Sequence, residues 1–584
     1  MKHAYGHRRG ASQRGAAGDM AMRSYTVALA GALLASCTSI NPAPTYDLIV
    51  RGGTIVDGSG GAPFTGDVAI SGDHIVAVAP HINGVAPRTI DAKGLAVAPG
   101  FVNMLSWAND ALVEDGASES DIRQGVTLEV MGEGNSEGPY NDKMVADTLA
   151  QQVDVKHPIP WRTLRGYWDF LEHKGIAPNV ASFVGATSVR TFVLGEDDVD
   201  PTQAQLGQMQ NLVRAAMNEG AMGLGSSLIY APATFAETPE LIALATASAQ
   251  CGGMYISHMR NESDHVLESV DELIAIARAS GGPAEIYHLK QAGRGNWDKL
   301  DGVIQRVEAA RASGIRITAD MYNYTAGATG LDAAMPPWVR AGGYDAWKKR
   351  LQDPALRAKV AAEMKVRPVG WDNLYFQAGS ADKVLFLAFK NPALKQYTGK
   401  TLAEVAKLRG TSPEDTAIDL VIADGTRVGV AYFLMSEDNV ARQVALPWMA
   451  FDSDESSQAP RGVFLKSNTH PRAYGTFARL LGKYVRDERR TTLADAVRRL
   501  TSFPTANLGI RDRGLVRPGM KADLAIFDPA TIADRATYAD PQQFVVGMRH
   551  VLVNGQPVLL DGEMTSARPG RAVLGPGTGR CPQN

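Results

Sequence analysis

Cysteine is scarce in this sequence. Only three cysteines occur in 584 residues, at Cys37, Cys251 and Cys581. So few cysteines exclude the disulfide framework typical of small secreted domains, and stability must come from a hydrophobic core. We therefore expect no disulfide framework. We interpret Cys251 and Cys581 as structural, because neither has neighbours typical of a nucleophile.

Strong charge of one sign is also missing. The formal net charge is −3, charged residues make up 21% of the chain, and no long basic run follows the first 45 residues. This composition argues against a nucleic-acid partner. The 45% of hydrophobic residues is ordinary for a globular protein.

Long hydrophobic runs are absent as well. The apolar run Tyr25–Leu34 follows Arg23 and is too short to span a bilayer permanently. A basic start, a short apolar stretch and small residues before Cys37 are typical of a secretory leader, and Leu34-Ala35-Ser36-Cys37 resembles a bacterial lipoprotein box. We expect residues 1–45 to be a lipoprotein signal peptide and tether. An ordinary signal peptide is the alternative.

This leader predicts a location. We expect an exported protein of the bacterial cell envelope, either periplasmic or a membrane-anchored lipoprotein. The lipid on Cys37 would be its only contact with the membrane.

The middle of the chain alternates short apolar strands with helices, a pattern that favours a parallel sheet. For example, the amphipathic stretch Val266–Ala279 predicts a helix between two strands. Eight candidate strands fit an α/β fold, specifically a (β/α)₈ TIM-like barrel. They are Leu95–Val102, Thr127–Met131, Val180–Val184, Ala221–Gly223, Met254–His258, Glu285–His288, Arg316–Met321 and Trp448–Phe451.

Both chain ends differ from this middle part. Short strands separated by Gly and Asp predict a small β-sandwich built from residues 46–93 and 507–584, the latter ending in a tail. The barrel then occupies residues 94–506. Residues 336–436 interrupt the alternation and contain an isolated strand at Lys383–Phe389, so we expect an insertion over the barrel mouth.

Two histidines follow successive apolar runs. His258 closes one predicted strand and His288 closes the next. The carboxyl ends of barrel strands carry the chemistry, and two imidazoles there favour a metal site over two buried structural histidines. Glu133 follows the second predicted strand and is a candidate third ligand. The alternative interpretation is that Glu133 is a loop residue in a Gly-rich turn.

Asp454 follows the eighth predicted strand. Two imidazoles and a carboxylate typically hold zinc with a position left for water, and a further carboxylate beside the metal can move protons. We expect Asp454 to be this catalytic carboxylate. A helix N-cap is the alternative for Asp454, and Asp452 is a weaker candidate for the same role.

Cationic residues lie near the same strand ends. Lys290 shares a face with His288, and Arg472 lies on a loop soon after Asp454. An Arg fork with a Lys charge suits a substrate carboxylate. Arg260 could serve similarly or could pair with Glu262. His470 is expected to shape its loop, and Tyr322 follows the seventh predicted strand.

At this point the chain resembles the amidohydrolase superfamily and, within it, the N-acyl-D-amino-acid deacylases (D-aminoacylases). The likeness covers nearly all of the chain after the leader. The residues that carry it include Tyr46–Thr54, Ala98–Phe101, Gly125–Thr127, Ile229–Pro232, Ser257–Arg260, His288–Lys290, His470–Phe477, Arg513-Gly514, Pro518-Gly519, Ala522–Leu524 and Val553–Gly555.

The resemblance implies a metal-dependent barrel with a β-sandwich that cleaves the acyl group from an N-acyl-D-amino acid. It implies that His258 and His288 hold zinc and that Asp454 is the catalytic carboxylate. Lys290, Arg472 and Tyr322 would then meet the carboxylate of a small-molecule substrate.

Two departures from the family pattern matter. The usual His-x-His is replaced by Leu105-Ser106-Trp107, so we expect no second metal site. The usual cysteine is replaced by Gly134, and Glu133 beside it is expected to supply the third ligand. D-aminoacylases are described as working from one tightly held zinc, so we expect one Zn²⁺ per chain.

These inferences together predict a metal-dependent amide hydrolase acting on carbon–nitrogen bonds other than peptide bonds, with N-acyl-D-amino acids or related D-amino-acid amides and dipeptides as substrates. One alternative is a cyclic-amide hydrolase of the dihydroorotase or hydantoinase kind. Another is a catalytically degenerate substrate-binding lipoprotein. The sequence does not indicate the oligomeric state.

Overall fold

The computed structural model describes residues 44–582. Its strands, in chain order, are β1 (Leu48–Ile55), β2 (Phe64–Ser71), β3 (His74–Ala79), β4 (Arg88–Asp91), β5 (Ala96–Pro99), β6 (Phe101–Asn103), β7 (Val126–Met131), β8 (Asn179–Ser182), β9 (Val184–Gly185), β10 (Gly223–Ser227), β11 (Met254–His258), β12 (Ala284–Ile286), β13 (Ile317–Ala319), β14 (Ala326–Gly330), β15 (Val384–Ala388), β16 (Gly429–Phe433), β17 (Leu524–Phe527), β18 (Met548–Val553), β19 (Gln556–Leu560) and β20 (Glu563–Met564).

Helices connect most of these strands. They are α1 (Asn109–Glu114), α2 (Glu119–Ile122), α3 (Asp142–Gln151), α4 (Leu164–Lys174), α5 (Ala186–Leu194), α6 (Gln203–Glu219), α7 (Thr238–Gln250), α8 (Val266–Ser280), α9 (Leu300–Ala312), α10 (Gly343–Gln352), α11 (Pro354–Met364), α12 (Leu374–Ala378), α13 (Leu402–Arg409), α14 (Pro413–Asp424), α15 (Glu437–Val444), α16 (Arg472–Arg479), α17 (Leu493–Leu500) and α18 (Ser502–Asn507).

Strands from both chain ends share one sheet. The order is β20-β19-β18-β17-β5-β1-β2-β3, and β4 pairs with β1. The antiparallel pair β5–β17, with Pro99 opposite Leu524, joins the two ends. A buried apolar cluster that includes Val50, Ile70 and Leu552 lies against this sheet. The expected pairing of the two ends is thus present as one sheet, and the second layer of a sandwich stays a prediction.

Parallel strands form the middle of the chain, as the sequence predicts. β6, β7 and β8 pair in parallel, and so do β9 to β13 in chain order. The run 179–185 links the two groups, because β8 pairs with β7 and β9 pairs with β10. The predicted strand Trp448–Phe451 forms only an isolated parallel bridge, between Met449 and Ala319.

The predicted interruption after the seventh strand has its own sheet and core. β15 pairs with β16, and β16 pairs with β14, all antiparallel. The expectation of an isolated strand at Lys383–Phe389 is therefore wrong. The partner strand β16 lies about 40 residues further along the chain and pairs in turn with β14, which precedes the interruption, and sequence periodicity carries no information about such distant pairing. Apolar residues such as Trp347, Phe386 and Val421 pack into a separate cluster.

Cys251 and Cys581 form a disulfide, with their Cα atoms 4.7 Å apart. The sequence analysis excluded a disulfide framework but did not predict this single bond, which gives both cysteines a structural role. The C-terminal segment returns to the end of α6, where Cys581 N–H donates to Asn218 Oδ1 at 2.9 Å. This return brings together two cysteines that are 330 residues apart in sequence.

Within residues 44–582, no helix has the length and apolar character needed to cross a bilayer. The predicted lipidation site Cys37 lies outside the described residues.

Candidate metal centre

Three buried side chains meet at the carboxyl ends of the parallel strands. His258 ends β11, and Glu133 and His288 follow the ends of β7 and β12. His258 Nδ1 lies 3.2 Å from Glu133 Oε1 and 2.9 Å from His288 Nε2. His288 Nε2 lies 3.1 Å from Glu133 Oε1, which closes the triangle. The structure thus brings together the three residues expected to bind metal, here called the triad.

The donor atoms of the triad fit zinc. Two imidazole nitrogens and one carboxylate oxygen are typical of catalytic zinc sites. Zinc bonds to such donors are about 2.0–2.2 Å long, so tetrahedral donors lie about 3.3–3.5 Å apart. The separations of 2.9, 3.1 and 3.2 Å in the triad are close to that spacing. These residues can therefore hold one zinc ion.

Two glycines position Glu133. Gly132 and Gly134 have φ angles of +103° and +67°, a region that favours glycine. A Cβ atom on Gly134 would lie 2.6 Å from the Cβ of Ser227. The cysteine of the family pattern therefore has no room at position 134. The neighbouring Glu133 reaches the triad instead, and it is a buried residue rather than an exposed loop residue.

Glu262 binds Lys290 and orients His288. Its Oε1 and Oε2 atoms accept hydrogen bonds from Lys290 Nζ at 2.8 and 2.9 Å. Oε1 also lies 3.2 Å from His288 Nδ1, the ring nitrogen outside the triad. Lys290 Nζ also lies 2.8 Å from Nδ1. A metal on Nε2 would place the proton on Nδ1, where Glu262 can accept it and Lys290, which only donates, cannot.

The triad lies among carboxylates that stabilise positive charge. Burial opposes ionisation of Glu133, but hydrogen bonds from both histidines hold its pKa well below the usual range. Burial and Lys290 oppose protonation of His288, but the surrounding carboxylates, Glu262 foremost, raise its pKa to about 10. The same negative surroundings would attract a metal cation, which has to displace this proton in order to bind His288.

His258 has one ring nitrogen without a hydrogen bond. Its Nε2 is buried and has no hydrogen-bond partner among residues 44–582. The Oε2 atom of Glu262 lies 3.5 Å from this nitrogen. When Nδ1 binds a metal, the Nε2–H faces this carboxylate, which is the usual arrangement around a ligating histidine.

Asp454 lies between two donors. The indole Nε1–H of Trp107 donates to Asp454 Oδ1 at 3.1 Å, and Arg472 Nη1 lies 2.8 Å from Oδ2. The next helical segment along the chain begins only at Gly462, so the alternative role of Asp454 as a helix N-cap is wrong.

Asp452 is less accessible than Asp454. Its side chain is fully buried, and in the described part of the chain neither carboxyl oxygen has a hydrogen-bond partner. Burial and repulsion from Asp454 raise the pKa of Asp452 to about 7. Asp454 is slightly exposed and held by two donors, so its carboxylate is better placed to meet a substrate.

The ring of Tyr322 lies between the triad and Arg472. Its centroid is 6.4 Å from that of His288 and 4.3 Å from the guanidinium carbon of Arg472. Lys290 Nζ lies 5.7 Å from the same ring. Within residues 44–582 the buried Tyr322 hydroxyl has no hydrogen-bond partner. The three residues expected to bind a substrate carboxylate are therefore neighbours.

Two further observations concern the loops around these residues. His470 Nδ1 accepts a hydrogen bond from the backbone N–H of Arg472 at 3.1 Å, which agrees with its expected role in shaping the loop.

The alternative prediction that Arg260 pairs with Glu262 is wrong. Arg260 Nε instead donates to Glu272 Oε2 at 3.0 Å, and Glu262 is held by Lys290.

Sequence reasoning assigned no site role to Glu262 or Trp107. Glu262 follows His258 by four positions, but its contact with Lys290 depends on the pairing of two strands. Trp107 stands where the family pattern has histidine, and its contact with Asp454 spans 347 residues. The substitution in the family pattern was the available signal for Trp107. No comparable signal marked Glu262.

Known proteins resemble this chain over most of its length. The model of the amidohydrolase family matches residues 88–559. A D-aminoacylase of Alcaligenes xylosoxydans xylosoxydans is 30% identical over 532 residues, which cover 90% of this chain and 97% of that protein.

Two solved structures are also similar. One is an N-acyl-D-glutamate deacylase from Bordetella bronchiseptica, complexed with zinc and a phosphonate that mimics the tetrahedral intermediate. It has a TM-score of 0.75 and 29% identity, covering 91% of this chain and 100% of that chain. The other is a D-aminoacylase with a binuclear metal centre, described as activated by one metal and attenuated by a second. Its TM-score is 0.74, with 29% identity and the same coverage. The chain belongs to the amidohydrolase family and, within it, to the D-aminoacylases.

Proposed function

We propose that this protein removes the acyl group from N-acyl-D-amino acids with one zinc ion held by Glu133, His258 and His288. The observation that carries the proposal is the buried triad, with donor atoms 2.9 to 3.2 Å apart. A bound zinc ion supplies Lewis acidity that polarises a carbonyl and acidifies water.

Asp454 is the proposed proton carrier of the reaction. Its carboxylate accepts a proton from the attacking water and returns it to the nitrogen that leaves the acyl carbon. Water thus adds its hydroxyl to the acyl carbon and its proton to the amine as the carbon–nitrogen bond breaks. The Arg472 guanidinium, 2.8 Å from Oδ2, keeps this carboxylate in place.

Recognition of the substrate carboxylate is proposed for Tyr322, Arg472 and Lys290. Both cations are already paired, Lys290 with Glu262 and Arg472 with Asp454. Within residues 44–582 the Tyr322 hydroxyl and the Nε and Nη1 atoms of Arg472 have no hydrogen-bond partner, so these two residues have donors available for a new carboxylate. The two cations add attraction without leaving an unpaired buried charge when substrate is absent.

A single metal site is part of the proposal. Leu105 is fully buried in an apolar cluster with Val130 and Phe183, and the Trp107 indole N–H is directed at Asp454. Neither side chain can ligate a metal. We expect this chain to lack the attenuation by a second metal described for the related D-aminoacylase.

The architecture is also part of the proposal. We propose that the parallel strands close into a (β/α)₈ barrel within residues 94–506, and that residues 46–93 and 507–584 form a β-sandwich that also takes in β5 (Ala96–Pro99), which pairs with β1 and β17. Main-chain hydrogen bonds support closure between the first and last strands, because Met104 N–H donates to Phe451 O at 3.3 Å. Residues 336–436 would form a lid that excludes water.

We also propose that residues 1–45 direct export and that a lipid on Cys37 anchors the protein to a bacterial envelope membrane. A Cys37→Ser variant should be released from membranes into the soluble fraction. Membrane retention of this variant would contradict lipidation.

The deciding experiment combines metal analysis with a substrate panel. Purified protein should contain about one zinc per chain and should lose activity with a chelator. It should hydrolyse N-acyl-D-amino acids in preference to L-isomers. Two zinc ions with turnover of hydantoins or dihydroorotate would favour the cyclic-amide hydrolase, and substrate binding without turnover would favour the degenerate binding protein.

A further inference from the structure

Two loop segments hold Trp107 beside Asp454 through their backbones. Asp454 N–H donates to Leu105 O at 2.9 Å, and Trp107 N–H donates to Glu455 O at 3.0 Å. Ser106 and Glu455 form a parallel bridge between these hydrogen bonds. The position of Trp107 relative to Asp454 is therefore set by main-chain hydrogen bonds, independently of how the indole ring packs.

The indole and the guanidinium hold opposite oxygens of one carboxylate. Trp107 Nε1 lies 3.1 Å from Asp454 Oδ1, and Arg472 Nη1 lies 2.8 Å from Oδ2. Without the indole, the carboxylate would keep only the ion pair with Arg472, whose Nη1 makes no hydrogen bond among residues 44–582. Asp454 also has a φ of +45°, so its backbone conformation is one that few non-glycine residues adopt.

Both donors share a chemical property that matters for proton transfer. An indole N–H and a guanidinium can donate hydrogen bonds, but neither accepts a proton at the working pH of an enzyme. A proton that Asp454 takes up therefore has no route onto Trp107 or Arg472. A histidine at position 107, as in the family pattern, could accept such a proton or bind a metal ion.

We propose that Trp107 is a positioning residue that holds Asp454 in its proton-carrying orientation, in the place where the family pattern has a metal-binding histidine. This inference rests on the proposed function, because it assigns Asp454 the proton transfer. The indole is 38% exposed, so substitutions at Trp107 should disturb the folded core little.

The kinetic test compares two variants that differ in hydrogen-bonding ability. Trp107→Phe keeps an aromatic ring and removes the N–H, whereas Trp107→Gln removes the ring and keeps an N–H donor. We expect Trp107→Phe to lower kcat about 10-fold or more, with KM and zinc content little changed, because it removes a hydrogen bond to a charged group. Trp107→Gln should retain more activity than Trp107→Phe. The opposite order would show that the ring's packing matters, and it would overturn the proposal.

A double-mutant cycle isolates the contact. If Trp107 acts through Asp454, adding Trp107→Phe to Asp454→Asn should cause little further loss of kcat. An equal loss in both backgrounds would contradict the proposal.

A spectroscopic test separates this inference from the proposed activity. In protein labelled with ¹⁵N-tryptophan, the Trp107→Phe variant identifies the Trp107 indole signal by its absence. We expect that signal to move upfield in Asp454→Asn, since the neutral side chain is a weaker acceptor than the carboxylate. An unmoved signal would overturn the inference even in an active enzyme. A wild-type protein without deacylase activity would overturn the proposed function even if the signal moves.

Discussion

Glu262 and Lys290 form a buried ion pair in which both carboxylate oxygens lie within 2.9 Å of Nζ. Both side chains are less than 10% exposed, so neither charge is well solvated. The same carboxylate lies 3.2 Å from His288 Nδ1. One acidic residue thus serves the proposed substrate-binding lysine and the proposed metal ligand.

Replacing Glu262 by glutamine should weaken zinc binding. The amide is a poorer acceptor for the His288 Nδ1–H, and loss of a residue that supports a metal ligand typically costs about 10–100-fold in metal affinity. Competition with a chelator would measure the affinity. Glu272→Gln is the matched control, because Glu272 pairs with Arg260 away from the triad. Equal zinc affinity in Glu262→Gln and wild type would contradict this role of Glu262.

Glu133→Gln should reduce zinc affinity sharply, since it removes the only carboxylate of the proposed triad. Asp452→Asn removes a buried carboxyl group that lies outside the triad and should leave zinc content near that of wild type. The comparison therefore separates ligation from the general loss of negative charge. Unchanged zinc content in Glu133→Gln would exclude this ligand set.

Asp454→Asn should lower kcat about 10²–10⁴-fold, the usual range for loss of a general acid–base group. Zinc content should stay near that of wild type, because Asp454 is not one of the proposed ligands. Steady-state kinetics on an N-acyl-D-amino acid, together with metal analysis, would measure both effects. A larger loss of kcat in Asp452→Asn than in Asp454→Asn would assign the proton transfer to Asp452 instead.

Local sequence patterns were enough to find the triad residues. His258 and His288 follow apolar runs that do form neighbouring parallel strands, so their proximity follows from strand pairing alone. Glu133 follows the second predicted strand, and that position made it a candidate ligand although the surrounding glycines favoured a loop residue as the alternative. The predicted helix Val266–Ala279 also agrees closely with α8.

Distant contacts could not be predicted in the same way. The disulfide Cys251–Cys581 and the Trp107–Asp454 hydrogen bond join positions more than 300 residues apart. Such contacts depend on how whole segments pack, and hydrophobic periodicity reports only local structure. The pairing of Glu262 with Lys290 instead of Arg260 depends on side-chain directions that the sequence does not specify.

The disulfide should contribute to stability. Closing a loop of this length restricts the unfolded chain, and removing such a bond typically costs about 2–4 kcal/mol. Cys581→Ala should therefore have a lower Tm than wild type, and a reductant should lower the Tm of wild type toward that of the variant. The reductant should not change the Tm of the variant itself. Equal Tm values with and without the bond would contradict this expectation.

The buried carboxyl group of Glu285 should make stability fall as pH rises from about 5 to 8. Its side chain is fully buried, and burial raises its pKa to about 7, above the ordinary value of 4.5. Between pH 4.5 and about 7 the folded protein binds a proton that the unfolded chain has released, so this group's contribution to the free energy of unfolding declines until pH exceeds about 7.

Asn507 Nδ2 donates to Glu285 Oε2 at 3.0 Å, and a glutamine can keep this hydrogen bond without ionising. Glu285→Gln should therefore have a higher Tm than wild type at pH 8, and the difference should shrink at pH 5. Thermal unfolding of both proteins across this range would test the sign. A difference in Tm that grows toward pH 5 would show that Glu285 is ionised in the folded protein.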